Sequence, residues 1–257
     1  MEPILMKKSE RVLNEYEVRI KLFGPVELEN QWGRVVENRA RQPLSWLLLK
    51  YLLVESGREV SLDELLDTVW PHSETDDANA ARVRLKRLRL ILESIHLGGT
   101  KGLVLFSAGN YMLNPQYELK TDTDAFEDLV RRISQCQMED AAGLQYCIQA
   151  LELFRGQYLE YTENHFWLTK YQEYYIREFS ALVQTTLERT KEIGSEAAIP
   201  LLCGRSAALI PEDECFHKEL IQYLVEQKRE LELIRHISQL TRSGKAPWLD
   251  SEALDRL

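Results

Sequence analysis

The run from Asp76 to Glu93, DDANAARVRLKRLRLILE, constrains this chain more than any other stretch, because only a helix gathers its apolar residues on one side. Ala81, Leu85, Leu88 and Leu92 recur at the spacing of a buried helical face. On a wheel of about 100° per residue, Asn79, Val83, Lys86, Arg87 and Leu90 collect opposite that face, with Arg82, Arg84 and Arg89 on the flanks. Five of the eight residues from Arg82 to Arg89 are Arg or Lys, a density that repels itself unless an anion lies alongside. Nucleic acid supplies such an anion, and a merely solvated basic face is the bland alternative.

The length of 257 residues predicts two domains, and 44% apolar residues are ordinary for a globular protein. The net charge of −9 conflicts with nucleic-acid binding only until it is divided along the chain. Val18 to Pro115 carries 13 basic and 12 acidic residues, whereas Gln116 to Leu257 carries 16 basic and 25 acidic. Such asymmetry predicts separate partners for the two halves. Cys136, Cys147, Cys203 and Cys215 have no CxxC spacing and read as thiols in a reducing cytoplasm. No signal peptide or membrane span is expected, which places the protein in the cytoplasm with no membrane partner.

The first half opens with strand-like runs, Val18–Gly24 and Val26–Glu29, and a returning strand containing Val35 and Val36. A helix fits Pro43–Glu55, with Pro43 in the first turn and Gly57 as the stop. A second fits Leu62–Trp70, with Ser61 as N-cap, Glu64 completing a capping box and Pro71 as terminator. After the basic helix, GLVLFSAGNYMLN reads as a hairpin about Ala108-Gly109-Asn110. Sheet, three helices and a terminal hairpin follow the order of a winged helix-turn-helix, whose third helix enters the major groove. Trp46 and Trp70 read as core.

The phrases LFGPVEL, GREVSLDELLDTVWP, RLKRLRLIL and GNYML resemble the OmpR/PhoB-type DNA-binding domain of bacterial SARP-family activators. That resemblance implies base contacts from Val83 and Arg87, with Asn79 beside them. It leaves Arg82, Arg84, Lys86 and Arg89 to grip phosphates or brace the domain, and for Arg89 a structural ion pair is the competing reading. Wings of this family often carry a basic residue for the minor groove. Here SAGNYM offers Ser107, Asn110 and Tyr111, and Lys101 precedes the hairpin. Lys101, Asn110 and Tyr111 are therefore the phosphate contacts expected from the wing region.

The second half reads as helical throughout, with breaks near Gln137, Gly156, Gly194 and Pro211. Candidate helices are Asp124–Gln135, Glu139–Phe154, His165–Ile193, Ser195–Leu209, Asp213–Gln227 and Glu230–Thr241. Alanines at 141, 142, 150, 197, 198, 207 and 208 permit the close approach of helix-pair repeats. TDTDAFEDLV, ALELFRGQYLEY, the Trp167 helix and the run through SAALIPEDE resemble the bacterial transcriptional activator domain, a tetratricopeptide-like module. The aromatic group Tyr158, Tyr161, Phe166, Trp167, Tyr171, Tyr174 and Tyr175 is either a seam between repeats or a ligand surface.

The expected fold is mainly α with a small β part: a tail at 1–15, a winged helix-turn-helix domain at 16–115 and an all-α tetratricopeptide-like domain at 116–257. The resemblance implies a minimal activator, without a receiver domain before the first strand or a nucleotide-binding extension after the helices. It further implies a homodimer on direct repeats of double-stranded promoter DNA, contacting RNA polymerase and its sigma factor. The helical half is open to a peptide or protein signal. P-loop, G-x-G-x-x-G, HExxH and G-x-S-x-G motifs are absent, and His72, His96, His165, His217 and His236 sit in unrelated contexts. No catalysis, metal or cofactor is expected. The competing function is a protein-interaction adaptor whose winged helix no longer binds DNA.

Overall fold

A computed structural model describes residues 16–40, 43–70, 78–162, 165–195, 198–210 and 213–243. The expected 1–15 tail, the stop at Pro71, the helix start at Asp76 and the break at Pro211 lie outside the described residues. The chain divides into two compact units: residues up to Asp122 together with Leu159–Trp167, and Thr123–Tyr158 together with Leu168 onward.

The first unit begins with β1 (Glu17–Lys21), β2 (Glu27–Asn30) and β3 (Gly33–Val36), an antiparallel meander. Val18 and Ile20 of β1 point inward and are buried, as period-two alternation requires. Glu27, itself only 2% exposed, is clamped across the sheet by Lys21 at 2.6 Å and Arg34 at 2.7 Å. The sheet is completed by β7 (Glu118–Thr121), parallel to β1 with Glu17 opposite Glu118. This strand falls inside the half read as helical throughout, and that reading is corrected. ELKT has no buried alternation because it is an edge strand, fixed by the ladder and by Lys120 Nζ at 2.8 Å from Glu17.

α1 (Pro43–Val54) places Trp46, Leu48, Leu49 and Leu52 in the core and packs on α3 (Ala78–Leu92). Between them, β4 (Val60–Ser61) leads into α2 (Leu62–Glu64), where Ser61 Oγ accepts the Glu64 N–H at 3.1 Å. The Glu64 carboxylate turns instead to Arg58 at 2.9 Å and the Tyr51 hydroxyl at 2.6 Å. Burial and this carboxylate push the Tyr51 hydroxyl up to about 12. The helix expected to run from Leu62 to Trp70 widens after one turn into a π-helical stretch, Leu65–Val69, closed by Trp70 N–H on the Leu65 carbonyl at 3.1 Å. β5 (Val104–Ser107) and β6 (Asn110–Leu113) form the expected hairpin, with β4 on the other side of β6. Ala108 and Gly109 both have positive φ, 51° and 87°, the pattern of a two-residue turn matched to strand twist.

The segment 159–167 returns to this first unit. Leu159 N–H donates to the Leu22 carbonyl at 2.8 Å, and Thr162 Oγ1 accepts from Lys50 Nζ at 2.7 Å. Lys50 is 1% exposed and lies 2.8 Å from Glu37, also buried. Burial lowers the Lys50 ammonium from its ordinary value and Glu37 opposes that shift. The Asp122 carboxylate accepts the N–H groups of Leu22 and Phe23 at 2.7 and 3.2 Å, anchoring the end of β7 to the loop after β1.

The second unit is α4 (Asp122–Ile133), α5 (Ala141–Leu153), α6 (Phe166–Glu192), α7 (Ile199–Leu209), α8 (Glu214–Glu226) and α9 (Glu230–Ser243). Both α4 and α6 begin on residues that group with the first unit, α4 at Asp122 and α6 at Phe166 and Trp167. Asp140 and Asp213 cap α5 and α8 through their side chains. Arg189, 2% exposed, donates to the carbonyls of Ile133, Cys136, Gln137 and Met138, a positive charge at the carbonyl end of α4. Gly143 leaves the room: a Cβ there lies 2.5 Å from Arg189 Nη1.

The aromatic group is split. Tyr158 and Tyr175 pack at 4.9 Å, and Phe154 stacks on Phe179 at 4.1 Å, all buried in the second unit as a seam. Trp167 belongs to the first unit and meets Tyr51 edge-on at 5.1 Å, while Phe166 is exposed.

Candidate nucleic-acid interface

α3 has the two-sided character its sequence requires. Ala81, Leu85, Leu88 and Leu92 are buried, whereas Asn79, Arg82, Val83, Lys86, Arg87 and Leu90 are exposed. The expected base-contact set, Asn79, Val83 and Arg87, therefore shares one accessible face. Arg82, Lys86 and Arg87 form no ion pair among the described residues, so three guanidinium or ammonium groups stand together in solvent. Charge of one sign on one face lowers the cost of bringing a polyanion there and raises its encounter rate.

The expected phosphate set divides. Arg82 and Lys86 are exposed on α3, and Lys101 is exposed ahead of β5. Arg84 is corrected: it is 6% exposed, and its guanidinium carbon lies 4.1 Å over the Trp70 ring. Its wheel position on the flank of the apolar stripe carries it under the π-helical end, where an aromatic face replaces phosphate as the partner. Tyr111 is corrected too, because as the inward residue of β6 it is 1% exposed and its ring packs on Phe106 at 4.7 Å. Burial raises its hydroxyl from the ordinary value, opposed by the positive charges of Arg82 and Arg89. Arg89 takes the bracing role: half-buried, it donates from Nη2 to the Val104 carbonyl at 3.2 Å and ties α3 to the wing. Asn110 donates to Glu59 at 2.6 Å, so its amide already has a carboxylate partner.

Sequence reasoning missed what the wing does present. Phe106 is 39% exposed beside Ser107 and Ala108, with Glu59 close by through Asn110. The wing tip is thus neutral and partly apolar. The alternation in VLFS puts Phe106 on the same face as Val104 and opposite Tyr111, on which it packs, so only its place next to the turn, at the end of the hairpin, leaves it exposed. Among the described residues no cluster of three metal-ligating side chains occurs, and no helix is long and apolar enough to cross a membrane.

Comparison with known proteins matches two families to successive stretches of the chain. The family described as transcriptional regulatory protein, C terminal, matches residues 39–100, and the bacterial transcriptional activator domain matches residues 121–241. A solved structure, Mycobacterium tuberculosis EmbR in complex with low affinity phosphopeptide, is similar over 88% of this chain with a TM-score of 0.60 and 15% identity. At that identity the likeness concerns the fold, and the chain spans 59% of the length of the structure it matches. No curated protein matches the sequence. A winged domain with an exposed basic face on its third helix, followed by a bacterial transcriptional activator domain, identifies the chain as a member of the SARP-type transcriptional regulators.

Proposed function

We propose that the first unit binds double-stranded promoter DNA in a sequence-selective manner, with α3 in the major groove. The observation that carries this reading is the set Arg82, Lys86 and Arg87, without an ion pair among the described residues, on one exposed face with Asn79 and Val83. Arg87 is suited to guanine O6 and N7 as a bidentate donor, and Val83 to a thymine methyl. Arg82, Lys86 and Lys101 then hold phosphates. With three such contacts the slope of log K against log salt is about −3 per protomer, which makes a lone protomer a weak binder. Two protomers on a direct repeat double that term, and the homodimer on DNA implied by the family resemblance is part of this reading. The protein acts in the cytoplasm as an activator that contacts RNA polymerase and its sigma factor, without itself catalysing a reaction, and its helical unit receives the signal.

Selection from a randomised duplex pool, followed by salt titration of the enriched sequence, tests the reading. Arg87→Ala is expected to lose about 1–3 kcal/mol at the selected site while retaining its non-specific binding. Failure to enrich any sequence at low salt leaves the adaptor function, in which the helical unit binds protein and the winged unit is a scaffold.

A further inference from the structure

Within the second unit, α5, α6 and α7 line a cavity of about 360 Å³ that is open to solvent on the side of Ile148 and Leu201. Leu144, Ile148 and Leu151 of α5 form one wall, Leu201 and Leu202 of α7 another, and Phe179 closes the inner end. The volume lies in the range of small-molecule sites, and an apolar lining with a few polar groups is their usual composition.

The polar groups are one-sided. Thr186, Thr190 and Ser206 line the cavity and are no more than 2% exposed. Each hydroxyl proton is already donated within its own helix, to the carbonyls of Leu182, Thr186 and Leu202 at 2.7, 2.6 and 2.8 Å. What these side chains have left to offer is oxygen lone pairs. The mouth carries Ser195, Glu152 and Arg205, all exposed, and the last two form no ion pair among the described residues. A guest with an apolar inner body therefore needs a hydrogen-bond donor where it meets the threonine and serine oxygens, and its outer end meets one carboxylate and one guanidinium.

We infer that this cavity binds a small apolar molecule bearing an O–H or N–H donor, held between α5, α6 and α7. The three-helix lining and the acceptor oxygens of its inner wall favour such a molecule over an extended peptide, which needs a continuous trough. The site lies within the helical unit and stands whether or not α3 binds DNA.

Calorimetric titration of the full chain at neutral pH with 2-naphthol and with 2-methoxynaphthalene tests it, since the two share an apolar body and differ in the donor. Saturable one-to-one binding of 2-naphthol, about tenfold tighter than the ether, is expected. Thr190→Val keeps the side-chain shape, removes the oxygen and is expected to bring the two affinities together. Leu202→Trp fills the cavity and is expected to abolish both, with circular dichroism reporting that the helices remain. Equal affinities in the wild type, no saturable binding of either compound, or a Thr190→Val protein that keeps the full preference each overturns the assignment.

Discussion

Arg84 and Lys86 are two positions apart on α3 and have opposite employment. Arg84 lies over Trp70 out of solvent, whereas Lys86 stands exposed with no ion pair among the described residues. Lys86→Ala is expected to weaken binding to every duplex alike and to shrink the salt slope by about 0.9 per protomer, with folding unchanged. Arg84→Ala is expected to cost about 2 kcal/mol of stability, read as a lower urea midpoint at unchanged slope, and to leave the salt slope as it was. The apolar stripe of α3 and the exposure of Asn79, Val83 and Arg87 were legible because helical periodicity alone fixes them. The separation of Arg84 from its neighbours was not, since it depends on Trp70, fourteen residues earlier and beyond any periodicity of α3. Tyr111 was hidden for a related reason: a tyrosine beside a turn reads as exposed until the strand pairing of β6 turns it inward.

The elements of the helical unit were legible almost to their ends, since long amphipathic periods and side-chain caps are local properties. Their mutual fastening was not. Arg189 fastens α6 to the carbonyls after α4, and Gly143 of α5 is the position that admits its guanidinium. Gly143→Ala is expected to cost about 1–3 kcal/mol, against the gain an alanine ordinarily brings within a helix, and calorimetric melting of the variant measures the sign. α8 and α9 meet through His217 Nδ1 and His236 Nε2, 3.2 Å apart. Burial, then the neighbouring His217, lowers His236 below its ordinary value, so the fold favours the neutral ring. The unfolded chain takes up that proton first, and stability is expected to fall as pH drops below about 6.5. His165, lowered by burial and by Lys50, acts in the same direction. The contribution of His236 is therefore the difference between wild type and His236→Gln in urea midpoint from pH 7.5 to 5.5, and the variant is expected to lose less.

For the molecule as a whole, the division at residue 115/116 expected from composition and motif does not describe how the chain is shared. β7 pairs with β1, and Leu159–Trp167 groups with the winged unit. No local pattern reveals this, because Thr162 becomes structural only when Lys50 and Glu37 are buried beside it. A fragment ending at residue 122 is expected to lose the Thr162 and Leu159 hydrogen bonds and, with them, about 1–3 kcal/mol. Faster amide hydrogen exchange along α1 in the fragment than in the full chain measures that loss.

The backbone passes from one unit to the other three times, after Asp122, after Tyr158 and after Trp167. The nine-residue return therefore lies inside the stretch matched by the activator domain, 121–241, yet fastens the winged unit. Recombination that exchanges the two family domains at their apparent seam brings one parent's winged unit together with the other parent's latch. What can be inherited as an independent piece is then the pair, and a chimera between relatives keeps its winged unit intact only where position 162 still meets the lysine at 50.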